Sequence, residues 1–383
     1  MNKSFNISFE ILRYWSNRDF KGWDPYDMLN SKVVQAIIPK NSHFLLWVCI
    51  QLGKVLPINL RRAMQVPKTH NAKGVALFIS GICNYWHISP KDKPELKKYL
   101  DRLIIILSDL KDPSINAWGY GFLWVARGGL RFPAGAPNVV VSYYVYSALE
   151  KVANLKDYNP PVNIKDWIFP QDLLEVLRRT EFNEGPLFSY SGYEGNEGVF
   201  NASLFASLIF AKSSEKLDEH DNRFVLDSIK TVEDNIKEDG SIGYGQKPFQ
   251  SWVDNHHTLY IIEAASRLNR ETHFTFNQQK LDKAILFYRN NFIKDKGFPL
   301  FLNKSYVMDF HALGQLLRMR EFDLYGYSET KQVLDKWQRY FKKSKYPYRI
   351  YKYGTNNLNY IRWTQAFMFY GLSYFDRYGN AKS

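Results

Sequence analysis

The feature that most constrains this chain is a recurrence: apolar helical segments return about every 55 residues. They centre on Ser80, Ser142, Asn201, His257, His311 and Gln365, at spacings of 62, 59, 56, 54 and 54 residues. The units share no strict sequence, but their order repeats. A loop rich in Gly, Tyr and Trp leads into an apolar helix with small residues, and a more polar amphipathic helix follows. The apolar segments are read as residues 74–86, 139–153, 199–211, 253–268, 308–322 and 360–378. Most are apolar nearly all round, as a helix covered on two sides must be. Between them, residues 94–110, 170–179, 222–237, 277–292 and 328–341 keep one polar face. Segment 94–110 opens on Pro and Glu and holds a 3.6-residue period.

Buried helices alternating with amphipathic ones either stack as an open solenoid or close into a ring that exposes no end. Six units favour closure. The expected fold is all-α, an (α/α)6 toroid of alternating inner and outer helices. Residues 1–383 form one domain, with 1–60 as an N-terminal helical extension packed on it and helices near 25–38 and 42–56. Strand patterns are sparse. Only 346–353 alternates, which predicts a small β-hairpin at most, set over the pocket.

Composition narrows the partners. Aromatics make up 16% of the chain, and many fall in loops, where Tyr and Trp offer flat apolar faces with polar edges suited to sugars, bases or lipids. The net charge of +13 attracts polyanions. The basic residues are scattered in short clusters, which argues against a nucleic-acid partner. Cys49 and Cys83 show neither CxxC nor zinc spacing and read as reduced thiols of a cytoplasmic protein. Residues 1–6 lack an apolar leader stretch, and no window approaches the roughly 18 apolar residues of a membrane span. The most apolar stretch, 42–56, is interrupted by Gln51 and Lys54. It reads as a buried or interfacial helix, with peripheral membrane contact as the alternative.

In a ring, the loops ahead of the inner helices share one mouth, and the unusual residues lie there. Trp118, Tyr120 and Trp124 alternate with glycines and precede Arg127 and Arg131, which suit a carboxylate or phosphate. The same aromatics would also serve as a plug. Tyr193, Glu194 and Glu197 lead to Asn201; the two carboxylates suit acid–base work, or merely complement a helix dipole. Tyr244 and Trp252 precede Asp254, Asn255, His256 and His257. Asp254 and His257 share a helical face. That face continues to Ile261, Ala264 and Ala265 and is expected to be buried, whereas His256 leads to Tyr260, Glu263 and Arg267 on a more polar face. His257 is a candidate base, or a core histidine beside a capping Asp254. His311 follows Asp309 in the same way. Asn357, Arg362, Trp363 and Gln365 could bind sugar hydroxyls or a carboxylate. Phosphate-loop, dinucleotide, HExxH and GxSxG patterns are absent, so no cofactor and no metal are expected.

The inner helices fed by aromatic loops resemble the α/α-toroid carbohydrate enzymes: the C-terminal domain of glucuronyl C5-epimerases, some polysaccharide lyases and unsaturated glucuronyl hydrolases. Residues 23–31, 57–61 and 66–68 are similar to bacterial proteins of capsule and exopolysaccharide gene clusters, some labelled delta-aminolevulinate dehydratase. That label does not fit a chain without alternating strands. Terpenoid cyclases share the architecture, but their acidic motifs are missing here. The resemblance implies an enzyme acting on an acidic, uronic-acid-containing glycan or lipid-linked saccharide. It would remove a proton next to a carboxylate, with His257 or His311 as base, Asp254 as its partner, Tyr244 or Tyr193 positioning or protonating the ring, and Arg127, Arg131 or Arg362 on the carboxylate. Trp118, Trp124, Trp252 and Trp363 would stack on sugars. Two other readings stay open: a glycoside hydrolase using paired carboxylates among Glu194, Glu197, Asp254 and Asp309, and a non-catalytic glycan-binding or scaffold subunit.

Overall fold

The computed structural model describes residues 3–56, 58–126, 129–168, 170–213, 215, 217–293, 296–319 and 326–379. Its helices run α1 (Lys3–Ser16), α2 (Lys32–Ile37), α3 (His43–Val55), α4 (Ala72–Ile88), α5 (Lys93–Leu110), α6 (Val139–Ala153), α7 (Gln171–Val176), α8 (Phe200–Ala211), α9 (Glu219–Asp234), α10 (Asn255–Glu271), α11 (Gln278–Phe292), α12 (Phe310–Arg318), α13 (Tyr327–Trp337) and α14 (Phe367–Gly379). The even-numbered helices from α4 to α14 are the six apolar segments of the sequence. Each packs on the next, and α14 packs back on α4, so the ring closes. Every residue of α8 is buried, as its lack of a polar face requires.

The inner helices begin alike. Asn71, Asn138, Asp254 and Asp309 each cap a first turn, accepting from the backbone N–H of Gly74, Val141, His257 and His311 at 3.0–3.2 Å. Four of the six therefore start from the same mouth with the same short polar side chain. Helices α5, α9 and α11 back α4, α8 and α10 from outside.

The segment expected as an extension divides in two. Helix α1 takes the outer position against α14. Its residues Ile7, Ile11, Leu12 and Trp15 are buried, Ser4 bonds the Asp376 carboxylate, and Tyr85 donates to the other oxygen at 2.7 Å. Helices α2 and α3 lie at the mouth. Buried Arg61 ties α3 to its surroundings, donating to the Gly53 carbonyl at 3.2 Å, to Asp27 at 2.6 Å, to the Asp24 carbonyl at 2.7 Å and to the Tyr360 hydroxyl at 2.9 Å.

Strands punctuate the mouth loops: β1 (Trp124–Val125) pairs with β2 (Arg131–Phe132), and β3 (Arg179–Phe182) with β4 (Gly185–Phe188). Segment 170–179 is helical only to Val176, because Arg179 already belongs to β3. The expected hairpin is β7 (Arg349–Tyr351) with β8 (Gly354–Asn356). It joins β5 (Pro299–Phe301) and β6 (Lys304–Asp309) in a four-stranded antiparallel sheet. Strand β6 runs directly into α12. Helix α14 is preceded by a π-helical turn, Ile361–Ala366. Such turns are irregularities that functional sites use.

Helices α12 and α14 cross closely at two glycines. A Cβ on Gly371 would lie 2.4 Å from the Gly314 carbonyl oxygen, and one on Gly314 2.6 Å from the Phe367 backbone. Gly371→Ala is expected to lower stability by about 1–3 kcal/mol through overpacking, measured as a shifted denaturation midpoint. An unchanged midpoint would show that the two helices separate freely.

Candidate active site

A cavity of about 370 Å³ opens at the mouth where the inner helices begin. Tyr120, Trp124, Tyr190, Tyr244, Trp252 and Trp363 wall it with aromatic faces. Among them stand Lys73, His256, His257, Tyr260, His311 and Arg362, brought in by α4, α10, α12 and the π turn.

Two histidines are stacked inside. His256 and His311 are buried, with ring centroids 4.2 Å apart. Phe367 covers the His311 ring at 3.8 Å and Trp363 meets it edge-on at 4.8 Å. His311 Nε2 lies 2.9 Å from the Tyr260 hydroxyl. Lys73 Nζ donates to that hydroxyl at 3.0 Å, so His311, Tyr260 and Lys73 form one chain across three inner helices. Burial pushes the His311 pKa well below its ordinary value, and the charges of His256 and Lys73 act the same way. Burial does the same to Lys73, with Arg362 adding to it. The Lys73 ammonium is caged by the rings of Tyr144, Tyr260 and Phe367, 4.3–5.1 Å from their centroids.

His257 is different. Its side chain is 27% exposed, and its Nδ1 lies 2.7 Å from Asp254 Oδ2. Asp254 also accepts from the Trp252 indole at 3.0 Å. Burial alone would raise the Asp254 pKa, but the His257 partner outweighs it and holds the carboxyl well below the usual carboxylate range. An ionised Asp254 keeps the proton on Nδ1 and leaves Nε2 as the acceptor. Asp309 plays a similar supporting part behind His256 and His311. It accepts from Arg349 at 2.6 Å and from the Trp363 indole at 3.1 Å, and it lies 3.5 Å from His256 Nε2. Arg362 forks onto buried Asp24 through Nε (2.5 Å) and Nη2 (2.8 Å), between the rings of Tyr120 and Trp363.

Ten of the expected site residues line the cavity: Tyr120, Trp124, Asn201, Tyr244, Trp252, His256, His257, His311, Arg362 and Trp363. Asp254 stands behind His257. The others lie elsewhere. Trp118 is fully buried, its indole donating to the Leu107 carbonyl at 2.8 Å, so it is a plug. Asn255 bonds Pro299 and Tyr288 on the outer side of α10. Gln365 clasps the Tyr346 backbone. Glu194 is exposed, 3.1 Å from Arg178, and Glu197 is held by Lys247 at 2.7 Å. Tyr193 packs on Phe132, while Arg131 and Asn357 are exposed outside the cavity. Arg127 lies outside the described residues.

The more polar face of α10 is interior as well, while Ile261, Ala264 and Ala265 are buried as expected. His256, Tyr260 and Glu263 are buried, and the face carrying His257 is the more open one at this turn. Sequence reasoning missed Lys73 and Tyr260. The available signal was a lysine and a tyrosine inside otherwise apolar inner helices. Among the described residues, one group has the spacing of metal ligands, Asp218, His220 and Asp221. It sits at the start of α9, with Asp221 already 2.5 Å from Arg179.

No protein-family model matches the sequence, and neither does any curated protein. Solved structures do match. Cellobiose 2-epimerase from Bacillus thermoamylovorans aligns with 80% of this chain and 88% of its own at 10% identity, with a TM-score of 0.55. The GH76 α-mannanase from Bacteroides thetaiotaomicron covers 81% and 87% at 12% identity and 0.53. A Listeria innocua protein covers 100% and 98% at 9% identity and 0.53. At such identities the likeness shows the fold: this chain is an α/α toroid.

Proposed function

We propose that the chain is a sugar-processing enzyme of surface-polysaccharide synthesis. It would act on an acidic glycan, removing a proton from the carbon next to a carboxylate and so epimerising that carbon or eliminating across it. One observation carries this reading: the cavity brings two histidines to Tyr260, with His257 and His311 centroids 6.1 and 6.0 Å from its ring, and has no Asp or Glu among its described lining residues. Inverting a carbon by proton transfer uses a base on one face and a proton donor on the other, whereas glycoside hydrolysis in its usual form needs two carboxylates at the bond.

His257 Nε2 takes the proton from one face. Negative charge then builds on the substrate carboxylate, where Arg362 provides positive charge in a water-poor site and Lys73 a hydrogen-bonding amine. The chain of Lys73, Tyr260 and His311 returns a proton from the opposite face and inverts the carbon. If a substituent sits one carbon further on, its departure instead gives the unsaturated product. Trp124, Trp252 and Trp363 offer faces for sugar rings. Lys54 and Arg362 give the lining its positive charge, which favours an acidic sugar. The likeness to cellobiose 2-epimerase supports epimerisation.

The test is incubation in D2O with uronic-acid oligosaccharides and, separately, with cellobiose, followed by NMR. Deuterium at the carbon beside the carboxylate is expected. Incorporation into cellobiose alone would overturn the acidic substrate. New reducing ends without deuterium would favour the hydrolase that the mannanase likeness supports.

A further inference from the structure

Helix α3 presents three distinct faces. Leu46, Ile50 and Gly53 are buried. Trp47, Gln51 and Lys54 line the cavity. Phe44, Leu45, Val48, Leu52 and Val55 fall within about 100° of arc at 3.6 residues per turn, and all but half-buried Val48 are exposed, Phe44 at 68%. Ile37 ahead of the helix and Ile58 beyond it are also exposed, at 73% and 67%. Six of the largest exposed apolar side chains thus gather within 22 residues, on the rim of the cavity. A soluble surface rarely keeps such a patch uncovered.

Charge selects what covers it. Between Asp27 and Asp92 the chain has no Asp or Glu. Lys32, Lys40, Arg62 and Lys68 in that stretch are exposed. A two-fold pairing of this face with a second copy would set like charges against each other. An apolar stripe flanked by lysine and arginine fits the anionic surface of a lipid bilayer, which takes the stripe to the acyl boundary and the bases to its headgroups. No helix among the described residues is long and apolar enough to cross a membrane.

We infer that α3 and its flanks dock this protein on an anionic membrane surface with the cavity mouth at the headgroup level. On the proposed enzymatic reading, the substrate would then be a saccharide carried on a lipid.

Flotation with vesicles tests the docking without reference to activity. Native protein is expected to bind mixed phosphatidylcholine–phosphatidylglycerol vesicles about tenfold or more better than phosphatidylcholine alone, and to be released by salt. Phe44→Asp combined with Leu52→Asp, both exposed, should abolish binding while leaving the melting midpoint in place. Lys40→Glu with Arg62→Glu should remove the preference for anionic lipid. Native protein that ignores both vesicles, or an aspartate variant that binds as well as native, would overturn the inference. So would light scattering that shows a native dimer and a monomeric aspartate variant, since the face would then cover a second copy. Docking without turnover of any glycan would leave the membrane surface standing and remove the enzymatic reading.

Discussion

His257→Gln is expected to lower turnover by about 10²–10⁴-fold, the usual contribution of a positioned base, with little change in melting. The glutamine amide still offers Asp254 a hydrogen bond, and the site at His257 is partly open. The telling measurement is isotopic. On the proposed reading, native protein in D2O should exchange the acidic C–H of both epimers. The His257→Gln variant should exchange one epimer only, through the chain of His311, Tyr260 and Lys73, and invert neither. His311→Gln should show the complementary pattern. Native turnover in either variant would sink the assignment of that histidine.

The second large effect is on stability. Asp309→Ala removes a fully buried carboxylate that receives Arg349, the Trp363 indole and the first turn of α12. Breaking such a pair strands Arg349, so a loss of about 3–5 kcal/mol is expected. The pH dependence has a definite sign. Burial would raise the Asp309 pKa, but Arg349 and His256 outweigh it and bring it down to about 2. A depressed folded pKa contributes stability that is fully present above the unfolded value near 4, and that is lost as pH falls through about 2. Native protein should therefore lose part of its melting temperature between those limits, and Asp309→Ala should show a flatter acid limb. Equal acid limbs in the two proteins would mean that Asp309 does not carry this linkage.

The ring was legible because apolar helices at a regular interval have few ways to be buried. His257 and His311 were legible as first-turn residues of successive inner helices, although the caps put His256 rather than His257 in register with His311. Which way a side chain points on an inner helix was not. Periodicity reports orientation only where one face meets water, and these helices meet little. That is why Asn255 and Gln365, read as facing the cavity, hold neighbouring elements instead, and why His256 and Tyr260 turned out interior. Trp118 and Trp124 stand six residues apart in one aromatic loop, yet one is a plug and the other a wall. The choice depends on packing against α5 and β2 that the pattern of the loop itself does not report. Lys73 escaped notice because a single lysine near a helix start ordinarily reaches solvent. Helix α1 escaped because its partner lies at the other end of the chain.

That last pairing has a consequence for biogenesis. During synthesis the apolar side of α1 emerges early, and the residue that Ser4 bonds arrives 372 positions later. Until then Ile7, Ile11, Leu12 and Trp15 lack α14 as cover, a condition that invites aggregation or a chaperone. The five preceding units can condense as they appear, because each packs on its sequence neighbour. The final closure joins the most distant contacts in the molecule and is the natural slow step of its folding.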